Sequence, residues 1–249
     1  LKFLLKYTLK NCDYVTSNNK KHLEFFEEFG LSEDKMLYIP NGLDYELFKK
    51  RDKFVARKKL NLPLKDKIIL FVGHLIAVKR VELLILALSK LSTKHPHTKL
   101  IIVGDGLLKS KLKEYTDELK LSSRVLFVGS VKPQEVSVYM NAADIFVLSS
   151  SSEGRPNVVL EAMASGLPIV STDVGDLSSF LTDSKDAFIV DLNNFKEFCS
   201  DVNKLLSEVK FRNRFSTNGF RVVRKSNPSW QEAALEYVRL YIKLLKNGK

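Results

Sequence analysis

The chain has 249 residues, of which 45% are hydrophobic and 10% aromatic; that is enough apolar material for a full core and too much for a disordered chain. A formal charge of +11 and a pI near 9.5 point to anionic partners, which leaves nucleic acid, an anionic membrane surface or a phosphorylated small molecule. No nucleic-acid motif accompanies the lysines, so nucleic acid is set aside, and no uninterrupted run of about 18 apolar residues offers a membrane span.

In chain order, LKFLLKYTLKN predicts a helix. The lysines inside its apolar stretch and the lack of a small-residue cleavage site exclude a signal peptide. Lysine alternating with Leu and Phe is also the pattern of an interfacial helix, but the same pattern serves an ordinary packed helix, which is the preferred reading. A strand-like YVTSN, a second helix in KKHLEFFEEFG and then MLYIPNGLDYELF complete residues 1–62. That is too little alternation for a sheet of its own, and it reads as the tail of an earlier α/β domain followed by a linker.

From residue 67 onward, short apolar runs (KIILFVGHL, KLIIVGDG, RVLFVGSV, DIFVLSSSS, LPIVSTDVG, DAFIVDL) alternate with amphipathic stretches (VELLILALSKL, LLKSKLKEYTDELKL, PQEVSVYMNAA). The period switches between strand and helix each time. Near-continuous apolar strands separated by helices predict a doubly wound parallel sheet of α/β class, covered on both faces, over residues 63–228. Three helical stretches follow, the last over 229–249 and expected to pack back toward the N-terminal segment, with Trp230 and Tyr241 as packing anchors. Cys12 and Cys199 lie far apart with no His or Cys at metal-ligand spacing, which predicts free thiols in a reducing compartment and no zinc site.

In an open parallel sheet, ligands bind beyond the carboxyl ends of the strands. Four strand ends here carry unusual loops: Gly73 and His74 with Lys79 further on, Gly104 and Gly106 around Asp105, Gly129 with Ser130, and SSSSEGRPN. Pro156 suits the first turn of a helix, whose N-terminal amides and positive dipole end attract phosphate. Glu153 ahead of that helix and Glu161 about two turns along it are then placed to accept hydrogen bonds from sugar hydroxyls. A nucleotide sugar needs both features. On spacing alone, a dipole partner at Glu153 and a solvent-facing Glu161 are the favoured account of the pattern. The serine-hydrolase nucleophile, the Gly-Lys-Ser/Thr phosphate loop and the dinucleotide fingerprint are all absent from this stretch.

EGRPNVVLEAMASGLPIVST resembles the paired-glutamate motif of the retaining nucleotide-sugar glycosyltransferases built from two facing Rossmann-like domains, the group that includes sucrose synthases and many mannosyltransferases. FVGHLIAVK is similar to that family's pyrophosphate loop, VGDG and FVGSV recur in the expected order, and IPNGLDYELF resembles its interdomain linker. The resemblance runs from about residue 11 to about 241. It implies a donor-binding domain with the end of its partner domain, with Glu153 on the transferred hexose, Glu161 on the ribose and Lys79 on the diphosphate leaving group. By the same resemblance the backbone of Gly154, Arg155, Pro156, Asn157 and Val158 cradles sugar and phosphate, Gly73 and His74 belong to the pyrophosphate loop, Gly104 is a further donor-binding position, and Gly129 with Ser130 lie beside the base. Two departures stand out: His74 occupies the place of a usual arginine, and Ser179 that of a usual glutamate.

The resemblance implies Glu153 and Lys79 as the catalytic pair, no cofactor and no metal, and a saccharide or lipid-linked acceptor. A reducing cytoplasm follows from the cysteine usage and contact at the inner membrane face from the LKFLLKYTLK pattern, while a partner chain supplying the acceptor half follows from the part of the family's N-terminal domain that the resemblance leaves out. Two other readings stay open: a module that binds nucleotide sugar without turning it over, and a sugar-nucleotide epimerase of similar architecture.

Overall fold

The computed structural model describes residues 2–247. The chain divides into two compact units, one formed by the segment up to Asp44 together with that from Lys225 onward, the other by Tyr45–Arg224.

In the first unit, α1 (Lys2–Asn11) is followed by β1 (Val15–Ser17), α2 (Lys20–Glu28) and β2 (Met36–Tyr38). Asn19 starts α2 by accepting a hydrogen bond from the Lys21 amide, the usual role of an asparagine N-cap. The two strands pair in parallel, Val15 opposite Met36 and Ser17 opposite Tyr38. This corrects the expectation that the segment has no sheet of its own; strands of three residues are too short to display a period of two. The C-terminal helix (Trp230–Asn247) belongs to the same unit. The Leu43 amide donates to Pro228 O at 3.0 Å, and Lys243 Nζ sits 4.8 Å from the Tyr14 ring centroid. Gly42 lies so close to the Trp230 backbone that a Cβ there would clash, which makes Trp230 a packing contact even though it is half-exposed. Tyr241, by contrast, is largely exposed.

The second unit alternates α3 (Lys53–Lys59), β3 (Lys67–Val72), α4 (Val81–Leu91), β4 (Thr98–Val103), α5 (Lys109–Glu118), β5 (Val125–Gly129), α6 (Pro133–Ala142), β6 (Ile145–Leu148), α7 (Asn157–Ala164), β7 (Ile169–Thr172), β8 (Phe188–Val190), α8 (Phe195–Ser207) and α9 (Val209–Ser226). Its six strands are all parallel, in the order β5-β4-β3-β6-β7-β8. Both faces are covered: Ile68, Leu70 and Phe71 of β3 and all four residues of β6 are buried, as expected of strands between two helical layers. On α4 the buried positions Val81, Leu84, Ile85 and Leu88 follow the i, i+3, i+4, i+7 stripe. This is the doubly wound α/β arrangement read from the sequence.

Helix α3 did not stand out in the sequence because its apolar residues, Phe54, Val55 and Ala56, are consecutive and lack helical period. It carries Arg57, which is buried and donates to Asp144 Oδ2 at 2.8 Å, while Lys53 Nζ reaches Asp144 Oδ1 at 2.9 Å. Burial pushes the Asp144 carboxyl up, but Lys53, the Ile68 amide and Arg57 outweigh it and hold the group below its ordinary range. These bonds tie residues 53–57 to the sheet, and the Tyr45 hydroxyl donates to Val223 O at 3.0 Å. The edge of this unit therefore falls at Tyr45 rather than at the 62/63 boundary read from the sequence.

Neighbouring strands β3 and β6 sit where the winding reverses, with β4 and β5 on one side and β7 and β8 on the other. The loops leaving their carboxyl ends, residues 73–80 and 149–156, diverge and leave a crevice. Among the described residues, no helix is long and apolar enough to cross a membrane.

Candidate functional site

The crevice is a cavity of about 500 Å³. Gly73, His74 and Lys79 line it from the loop after β3, Glu153, Arg155 and Pro156 from the loop after β6, and Asn157, Val158 and Glu161 from α7. Helix α7 explains the last three: Val159, Leu160, Ala162, Met163 and Ala164 are all buried in the core, so positions 157, 158 and 161 form the one face left to look into the cavity. Its N-terminus, with the positive end of the helix dipole, opens there too.

Lys79 ends a short 3-10 turn, Ala77–Lys79. Its Nζ lies 2.6 Å from Glu153 Oε1, and the two side chains are only 17% and 13% exposed. The Ser150 hydroxyl donates to the same carboxylate oxygen at 2.6 Å. A cation and an acceptor thus meet at the mouth of the cavity, largely shielded from solvent, where electrostatic interactions are stronger than at an open surface.

Glu161 is different. Among the described residues no cation acts on it, and burial pushes its carboxyl up from 4.5 to about 7. A group so placed gains from any ligand that brings hydrogen-bond donors to its charged form.

The guanidinium of Arg155 points away from the cavity mouth: it forms an ion pair with Asp176, both side chains being essentially inaccessible, and lies 4.8 Å above the Phe180 ring. Arg155 therefore contributes backbone and stem to the cavity while its charge holds the loop in place. The same loop is pressed from behind by Gly175, φ +63, where a Cβ would come within 2.5 Å of Gly154 O. Only glycine fits such a close backbone approach in this conformation.

Gly104, Gly129 and Ser130 do not line the cavity. The Gly104 amide donates to Gly129 O at 2.8 Å, and a Cβ on Gly104 would run into Gly73 O, so Gly104 lets the ends of β3 and β4 approach closely, whereas a Cβ on Gly129 would clash with nothing and that glycine serves a left-handed backbone, φ +87. The cavity is lined there instead by Val131, Pro133 and Val136 around the start of α6, and Phe48 lines it as well. Sequence reading passed over these because apolar wall residues carry no chemical signature. Ser150 was also missed as the second partner of Glu153, although its place in a run of four serines was visible. Among the described residues no three His, Cys, Asp or Glu side chains come together in a way that could hold a metal ion.

The family model described as glycosyl transferases group 1 matches residues 52–222. The uncharacterized glycosyltransferase MJ1607 of Methanocaldococcus jannaschii is 30% identical over 238 residues, which is 94% of this chain and 60% of that protein. Among solved structures, the sucrose-phosphate synthase of Thermosynechococcus elongatus superposes with a TM-score of 0.86 at 25% identity, over 99% of this chain and 62% of that one. Anabaena Alr3699/HepE, solved with UDP and glucose, gives 0.83 at 20% identity over 96% and 67%, a likeness of fold. The chain spans between about half and three fifths of the length of the first curated relatives it matches.

Proposed function

This chain belongs to the group 1 glycosyl transferases, and from that premise we propose that it supplies the donor site of a retaining hexosyltransferase, which moves a sugar from a nucleoside diphosphate to a saccharide or lipid-linked acceptor. The observation that carries the reading is the meeting of Lys79, Glu153, the α7 N-terminus and Glu161 in one cavity at the switch point of the sheet. HepE, of the same fold, holds UDP and glucose, which supports a nucleotide sugar as the ligand class.

In this reading, the diphosphate lies against Lys79 and the dipole end of α7, which stabilise the charge that develops as the sugar–phosphate bond breaks. Those two positive poles occupy the place a divalent ion would take, so no metal is needed. Glu153 accepts hydrogen bonds from the hexose, and Glu161 from the ribose. The expected result is that UDP or GDP raises the melting temperature in the presence of EDTA, by the mass-action stabilisation any native-state ligand gives. No shift with either nucleotide at millimolar concentration would defeat the reading. Turnover of the nucleotide sugar, as against binding alone, separates a transferase from a module that only holds its ligand.

The reading takes the protein to be cytoplasmic. Helix α1 is not packed as an ordinary core helix within its unit: Phe3, Leu4 and Tyr7 are exposed beside Lys2, Lys6 and Lys10, and only Leu9 is buried. Such a basic, apolar face suits an anionic lipid surface. Co-sedimentation with vesicles containing phosphatidylglycerol, lost at high salt and absent with phosphatidylcholine alone, is the expected result.

A further inference from the structure

Arg80 follows Lys79 directly and adopts a left-handed backbone, φ 46 and ψ 45, at the residue that caps the start of α4. A non-glycine residue there carries a cost of about 1 kcal/mol or more, which the surroundings must offset. The side chain provides the reason for it. Arg80 Nε donates to Ser149 O at 2.7 Å, Nη2 to Ser150 O at 3.3 Å and Nη1 to Leu192 O at 3.0 Å. One guanidinium thus gathers the carbonyls that leave β6 and one beyond the end of β8.

The same two loops are bound in the opposite direction as well. The buried Ser149 hydroxyl lies 2.8 Å from Lys79 O and 3.0 Å from Arg80 O, and the Ser151 amide donates to Val78 O at 2.8 Å. Residues 78–80 and 149–151 are therefore stitched together on both sides of the Lys79–Glu153 pair. All three serines, 149–151, take part in this stitching.

From this we infer that Arg80 is a positioning residue: by spanning the β6 and β8 ends, it fixes the turn that aims Lys79 at Glu153 and at the diphosphate. It touches no ligand itself. The inference rests on the donor-site reading for the diphosphate and on geometry alone for Lys79.

Arg80→Gly separates the side chain from the backbone, because glycine adopts φ 46 without strain and the turn can still form. Two measurements on the full chain test the inference. The first is the rate at which Lys79 is acylated by an amine-reactive ester, followed by peptide mass mapping; Arg80→Gly should raise it several-fold while lysines elsewhere on the chain are unchanged. An unchanged Lys79 rate overturns the inference whether or not any nucleotide binds. The second is a double-mutant cycle in UDP or GDP affinity. Arg80→Gly should cost about tenfold in the native background and nothing further in a Lys79→Ala background, since its effect passes through Lys79. Equal losses in both backgrounds would mean a general loosening and would overturn it. If the Lys79 rate rises but the unaltered chain binds neither nucleotide, the donor-site reading fails and the positioning of Lys79 by Arg80 stands. Arg80→Lys, which keeps the charge but cannot reach three carbonyls, should resemble Arg80→Gly in both measurements.

Discussion

Lys79→Ala should weaken nucleoside diphosphate binding by about tenfold to a hundredfold, while Glu153→Ala leaves it unchanged or makes it tighter. The opposite signs follow from the 2.6 Å contact between the two side chains. A hydrogen bond to a charged group contributes roughly 1.5–3 kcal/mol, and each 1.4 kcal/mol is about tenfold in affinity. Removing Lys79 takes that interaction from the diphosphate. Removing Glu153 takes away the group that holds Lys79 in the free chain, so the ammonium no longer has to leave a partner when the diphosphate arrives. With the complete nucleotide sugar the outcome changes: both variants lose about tenfold, because the hexose then lacks its acceptor in one and the diphosphate lacks its cation in the other. Transfer by the assembled enzyme should fall further in Lys79→Ala, by about 10²–10³, the usual scale for deleting a donor to developing charge. Titration calorimetry of the two variants against UDP, GDP and their sugars reads all of this. Equal losses of nucleoside diphosphate affinity in both variants would mean that the pair acts only as a structural unit, and would sink the separate roles.

The sheet was legible in the sequence because its strands are buried on both faces, so that runs such as KIILFV and IFVL could be nothing but interior. What composition hides is pairing over distance. That Arg155 turns inward depends on Asp176, twenty-one residues later, and on the Phe180 ring above it. A local reading of EGRPN gives an arginine facing a phosphate with equal ease. The boundary near residue 45 was hidden for the same reason, since it rests on Arg57 and Lys53 finding Asp144 about ninety residues on. Strand-end glycines at 104 and 129 suggested ligand contact, but a close backbone crossing at Gly104 and a left-handed backbone at Gly129 require the same missing Cβ as ligand approach does. The two glutamates were visible in the motif, yet the difference between them was not: one is met by a lysine and a serine, the other is half-buried with no counter-charge among the described residues.

That difference yields the second large effect. Burial raises the Glu161 carboxyl from 4.5 to about 7 in the folded chain, a displacement equivalent to roughly 3 kcal/mol at most. At pH 4 both folded and unfolded chains hold the proton, and Glu161 costs nothing. Between pH 4.5 and 7 the unfolded chain gives up its proton first, so stability falls as pH rises through this window and the full cost is present above it. Glu161→Gln removes the titration, and the variant should melt about 5–10 °C above the native chain at pH 8, at 2–4 °C per kcal/mol for a unit of this size, with no gap at pH 4. Nucleotide binding should move the other way. Ribose hydroxyls donate to the carboxylate and favour its charged form, so the native chain gains affinity for UDP or GDP between pH 6 and 8 beyond whatever gain the Gln variant shows. Comparing the two chains cancels the titration of the nucleotide itself. A Gln variant with the same melting profile would place Glu161 in water. One that is stabilised at pH 8 but keeps the native affinity profile would leave it a buried acid with no part in holding the ligand.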